Sequence, residues 1–178
     1  MDNIDTKTNF DLKRSIRLRF LLTILLFTAL FSFQYAAAQQ VVEVDTYLAK
    51  LKGSDMASAV QLESLIYDVQ PTVYLNDGVF MPKGNGQMVV ANIGAMEIGK
   101  LKEGHASLRS VNLLMVEFLD NQELGTFRLE PSTLAALPDL SYVFFSLGFD
   151  ASAQEVSSIL QGFEDSGLIF IYESARPF

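Results

Sequence analysis

Leu137-Pro138-Asp139-Leu140-Ser141-Tyr142-Val143-Phe144-Phe145-Ser146-Leu147-Gly148-Phe149 is the stretch whose reading decides the fold. Pro138 and Asp139 mark a turn, and the run that follows is apolar at odd and even positions alike. A strand with two apolar faces cannot lie on an open antiparallel sheet with one side in water, so it predicts a central place in a covered, parallel or mixed sheet. Residues 108–118 upstream and 168–172 downstream read the same way.

Helical signals separate these runs. Pro131, at a first helical position, precedes Ser132-Thr133-Leu134-Ala135-Ala136-Leu137, and Pro138 ends that helix. Ser152 and Glu155 form a capping box ahead of the stripe Val156, Ile159, Leu160 and Phe163. Strands starting near Ser110, Ser141 and Gly167, with helices between them, predict an α/β chain: a small parallel or mixed sheet whose strands alternate with helices.

The first half is less decisive. Residues 41–45 read as a short strand or a lead-in, and residues 47–52 as a helical turn ended by Gly53. Ser54 and Asp55 supply cap oxygens for a helix whose stripe is Ala59, Leu62, Leu65, Ile66 and Val69, stopped by Pro71. The β-rich residues 72–75 run into Asn76-Asp77-Gly78, which closes a hairpin or begins a loop lasting to Gly86. Pro82, Gly84 and Gly86 favour the loop. Residues 88–93 read as strand or helix, and residues 120–125 as a loop.

Residues 1–38 have the order of a secretory signal: Lys13, Arg14, Arg17 and Arg19, then an apolar run over 20–33, then Ala36-Ala37-Ala38. The expected cut lies between Ala38 and Gln39, leaving a single α/β domain over 39–178 that is exported to the periplasm or secreted. The alternative is an uncleaved anchor over 20–38. The leader takes five of the 13 basic and three of the 21 acidic residues, so the remainder carries 8 and 18, a net charge of -10. That surface repels phosphate backbones and anionic lipid, which argues against nucleic-acid partners and, after cleavage, against membrane ones. The chain has no cysteine, so packing alone must hold an exported domain together.

Leu108, Val111, Leu113, Val116 and Phe118 align with Leu137, Leu140, Tyr142, Phe145 and Leu147 at a constant offset of 29, a pattern that resembles the leucine-rich repeat. The family's ninth position, usually asparagine or cysteine, holds Val116 and Phe145 here. A final unit fits with Leu168 and Phe170 at the fourth and sixth positions. The resemblance implies a short solenoid whose intervening strand residues face a protein partner: Leu114, Met115, Val143, Phe144, Ile171 and Tyr172. An exposed patch of such side chains marks an interaction site, whereas under a cover of helices they are ordinary core.

Chemistry leaves few marks. His105 is the only histidine and stands in a polar connection, Gly84-Asn85-Gly86 lacks the lysine of a phosphate cradle, and no G-x-S-x-G stretch exists. No cofactor and no metal are expected. The sequence therefore predicts a non-catalytic, exported domain that binds a protein partner or self-associates through an apolar strand face. The alternatives are a small extracytoplasmic hydrolase using Glu117, Asp120, Asp150 and Glu173, or a structural or assembly factor.

Overall fold

The structure, a computed structural model, describes residues 41–175. The expected leader, and with it the cut between Ala38 and Gln39, lies outside the described residues. Seven strands form one sheet: β1 (Val42–Glu43), β2 (Thr72–Asn76), β3 (Val79–Lys83), β4 (Val90–Gly94), β5 (Leu113–Phe118), β6 (Tyr142–Leu147) and β7 (Ile169–Ser174). Their spatial order is β1-β7-β6-β5-β4-β2-β3, and every pairing is parallel except the β2–β3 hairpin.

The path follows from this order. From β1 the chain passes through α1 (Val44–Ser54) and α2 (Met56–Tyr67) to reach β2 near the opposite edge. After the hairpin, β4 is laid beside β2, and β5, β6 and β7 each beside the strand before, until β7 meets β1. The crossovers contain 3-10 turns over Ala95–Glu103, Ala106–Leu108 and Pro131–Leu134, and the short helices α3 (Asn121–Thr126) and α4 (Ala153–Ser157). Since the order does not reverse between β2 and β7, the sheet has no topological switch point in that span of the kind that makes a ligand crevice in doubly wound folds.

Alternation along each strand divides the core in two. Val116, Phe118, Val143, Phe145 and Phe170 pack with crossover residues such as Leu108, Leu129, Ile159 and Phe163. Val90, Leu113, Phe144 and Ile171 pack instead with Val44, Leu48, Leu62 and Leu65 of the helix pair. Aromatic rings chain through the first cluster: Phe118 meets Phe127 at 4.9 Å and Phe145 at 6.1 Å, and Phe170 meets Phe145 at 6.2 Å and Phe163 at 5.0 Å between centroids.

Backbone bonds extend the ladder below the strands. Val89 donates to the Pro71 carbonyl, Asn112 to Val89, Ser141 to Asn112 and Ile169 to Ser141, all at 2.9–3.0 Å. Two side chains join successive turns as well: Asn112 Nδ2 donates to the Asp139 carbonyl, and Ser110 Oγ to the Met88 carbonyl, both at 2.8 Å. Even the crossovers touch in a ladder manner, at a parallel bridge between Leu129 and Leu160.

Several expectations need correction. Residues 76–79 close a hairpin rather than open a loop: Asp77 (φ 50°) and Gly78 (φ 74°) both take the left-handed conformations of a type I′ turn. Pro82 is tolerated because β3 is an edge strand. Residues 120–125 are not a loop but include α3, capped by Asp120 Oδ1 accepting from the Gln122 and Glu123 amides at 2.8 and 3.0 Å. The α2 stripe stops at Tyr67, so Val69 is fully exposed instead of packed. β5 and β6 pair at an offset of 29, but β6 and β7 pair Tyr142 with Ile169, an offset of 27 where the sequence alignment of Phe170 with Tyr142 implies 28.

Phe145 is fully buried between two aromatic neighbours. Phe145→Ala is expected to cost about 3–5 kcal/mol, seen as a lower denaturant midpoint at an unchanged slope. A loss below about 1 kcal/mol would mean that the ring array contributes little.

Candidate binding trough

Strand alternation decides what can reach solvent. On the face that carries the helix pair, the first strand positions (Val90, Leu113, Tyr142, Ile169) and the third (Asn92, Met115, Phe144, Ile171) lie in register. The next row is polar: Gly94, Glu117, Ser146 and Glu173 pair in series across β4, β5, β6 and β7. Glu117 and Glu173 are exposed, as befits a row beyond the apolar cluster. A Cβ added to Gly94 would meet nothing within 4 Å, so the floor there is open.

Two adjoining clefts lie on this face over β2, β4 and β5. One, of about 360 Å³, is lined by Tyr74, Asn76, Lys83, Asn92, Glu97 and Glu117 among others. The other, of about 230 Å³, runs along the end of α2, past Tyr67, Val69 and Gln70, over Met115. They share Tyr74 and Asn92 and so form one trough. Its polar groups are held in place. Asn92 Nδ2 donates to Glu117 Oε1 at 2.7 Å, the Gly78 amide at the hairpin tip donates to Glu97 Oε1 at 2.7 Å, and the Lys83 ammonium lies 5.0 Å from the centre of the Tyr74 ring. Gln70 Nε2 donates to the carbonyl and the hydroxyl of Ser64, which fixes the segment after α2.

The residues expected to form a sticky strand face are placed otherwise. Leu114, Val143 and Tyr172 are buried on the crossover face, and Phe144 (2% exposed) and Ile171 are buried beneath the helices. Met115 alone borders open space, half-buried on the trough floor. The reason is elementary: successive strand residues point to opposite faces, so neighbours such as Leu114 and Met115 cannot share one.

Of the four acidic residues, Glu117 and Glu173 share the polar row with Ser146 between them, while Asp120 caps α3. Neither trough cleft holds two of the four. Glu97, which the sequence did not single out, is the carboxylate that joins Glu117. His105 lies elsewhere, with Nδ1 2.6 Å from Ser107 Oγ and its ring stacked on Phe80 at 5.2 Å, beside a cleft of about 510 Å³ that includes Arg109. Among the described residues, no three His, Asp or Glu side chains are grouped to hold a metal ion, and no helix is long and apolar enough to cross a membrane.

No family model matches this sequence, and no curated protein or solved structure is significantly similar to it. The geometry must carry the functional reading alone.

Two substitutions probe the layout. Phe144→Asp places an uncompensated carboxylate beneath the helix pair and is expected to unfold the domain, checked by circular dichroism. The Tyr67 phenol is held above its ordinary value of 10.0, first by partial burial and then by the charge of Glu173, with smaller effects of Asp45 and Glu63. Because the folded value is raised, this contribution to stability is full below pH 10 and disappears as pH rises through the folded value. Glu173→Gln is expected to lower the Tyr67 titration while leaving it above ordinary, measured by phenolate absorbance against a Tyr67→Phe control. An unchanged titration would separate Glu173 from Tyr67.

Proposed function

We propose that this chain is an exported, non-catalytic α/β domain that binds a protein partner, and that the trough is where it does so. One observation carries the reading: exposed apolar side chains, Tyr67, Val69 and Met81, border a trough whose floor includes Met115. Exposed apolar groups gathered round a concavity on an otherwise acidic domain are the usual mark of an interaction site. The binding surface thus moves from the strand hydrophobes to the uncovered polar row and its rim.

The leucine-rich-repeat reading remains part of the proposal. In its favour stand parallel strands laid side by side in chain order from β4 to β7, with the intervening segments packed on one face. In that reading, α1 and α2 roof part of the strand face on which such proteins engage partners.

A photo-crosslinking residue at position 69 tests the reading, with one at Ser132, exposed on the crossover side, as control. The expected result is a defined protein adduct at 69, absent at 132, and abolished by Gly94→Phe. Gly94 has φ -66° and ψ 144°, backbone open to any residue, so that substitution fills the trough without strain. An adduct that forms equally at both positions, or that survives Gly94→Phe, would sink the proposal. A second copy of this chain in the adduct would make the binding self-association.

A further inference from the structure

We infer that the trough receives an extended, basic peptide segment of a different protein, laid across β2, β4 and β5 with a lysine or arginine against Glu117. This rests on the binding reading above and names its occupant by chemistry.

The apolar part of the match comes from the rim. Of the eight large hydrophobic side chains exposed among the described residues, Tyr67 (51%), Val69 (103%) and Met81 (36%) line this one trough. The charged part comes from its carboxylates. Glu97 and Glu117 each have one oxygen tied to a neutral donor, the Gly78 amide or the Asn92 amide, which fixes the group without cancelling its charge. The second oxygen of each accepts no bond from the described residues. Glu173 continues the row two strands beyond Glu117. Against these stands Lys83, whose ammonium faces the Tyr74 ring and forms no ion pair among the described residues. The trough is therefore left negative, and a cation that displaces water there gains two fixed carboxylates.

Size and long-range charge narrow the partner. From β3 to β5 the floor crosses three strand spacings, about 14 Å, which an extended peptide spans in about four residues. The chain carries a net charge of -8. An acidic peptide is repelled at a distance, and so is a second copy of this chain, whereas a basic segment is steered in.

The test is an amide NMR titration of the isotope-labelled protein with acetyl-Leu-Lys-Val-Arg-amide, and in parallel with acetyl-Leu-Glu-Val-Asp-amide. The basic peptide is expected to shift the amides of Tyr74, Asn92, Gly94 and Glu117, and the acidic peptide none of them. A Glu97→Gln/Glu117→Gln double variant keeps the acceptor oxygens and is expected to bind about tenfold more weakly at an unchanged melting temperature, and raising salt to 0.5 M is expected to weaken the wild type similarly. If both peptides bind alike, or the basic one shifts only residues outside the trough, the inference is overturned. In that event crosslinking at position 69 still decides the parent reading, since a trough-dependent adduct with an acidic or apolar partner preserves binding while removing the basic occupant.

Discussion

The constraint on which the structure depends is that the strands of this sheet must be dry on both faces. β5 and β6 place a large apolar side chain on each side in turn, Leu113 and Phe144 toward the helices, Val116 and Phe145 toward the crossovers. One cover is built as the chain goes, because each step to the next strand lays its own crossover on the same face. The other cover cannot arise that way. It is supplied once, by α1 and α2, as the chain travels from β1 at one edge to β2 near the other.

That second cover is too small, and the trough follows from the shortfall. Six strand spacings by a strand of six residues give a face of about 29 by 20 Å. Two helices of 11 and 12 residues are about 17 Å long and about 10 Å wide apiece. Side by side they roof about 340 of about 580 Å². The side chains follow this division: apolar where the roof reaches, at Val90, Leu113 and Ile171, and polar where it does not, at Glu117, Ser146 and Glu173. Both edges are meanwhile poor templates for added strands, since β1 has two residues and the edge strand β3 contains Pro82 and Lys83. Association by sheet extension is therefore disfavoured.

The α/β class and the parallel pairing were legible because two-faced apolar runs have few other homes. The offset of 29 between residues 108–118 and 137–147 was legible too, and it is the register in which β5 and β6 pair. Less of the first half could be read. The hairpin at Asp77-Gly78 was masked by Pro82, whose cost vanishes at an edge that local sequence does not reveal. Likewise α3 has no apolar stripe; it is held by the Asp120 cap and by Glu123 Oε2 accepting from the Leu119 amide at 2.8 Å, a signal of polar residues that resembles a loop.

The trough was not legible in the sequence for a different reason, and the reason is general. Binding residues were sought among the hydrophobes of the strands, but in a sheet covered on both sides those side chains are committed to packing. What distinguishes an uncovered strip is the opposite sign: a polar break inside an apolar run, tolerable only where water remains. Glu117 interrupts residues 113–118, Ser146 interrupts 142–147, and Glu173 follows Tyr172 in 169–174. Taken one strand at a time, each is an ordinary polar residue near a strand end. Brought together by offsets of 29 and 27, they fall in a single row on a single face. Register is thus the quantity that converts scattered polar residues into a surface, and an error of one residue in it, such as aligning Phe170 with Tyr142, moves Glu173 out of the row.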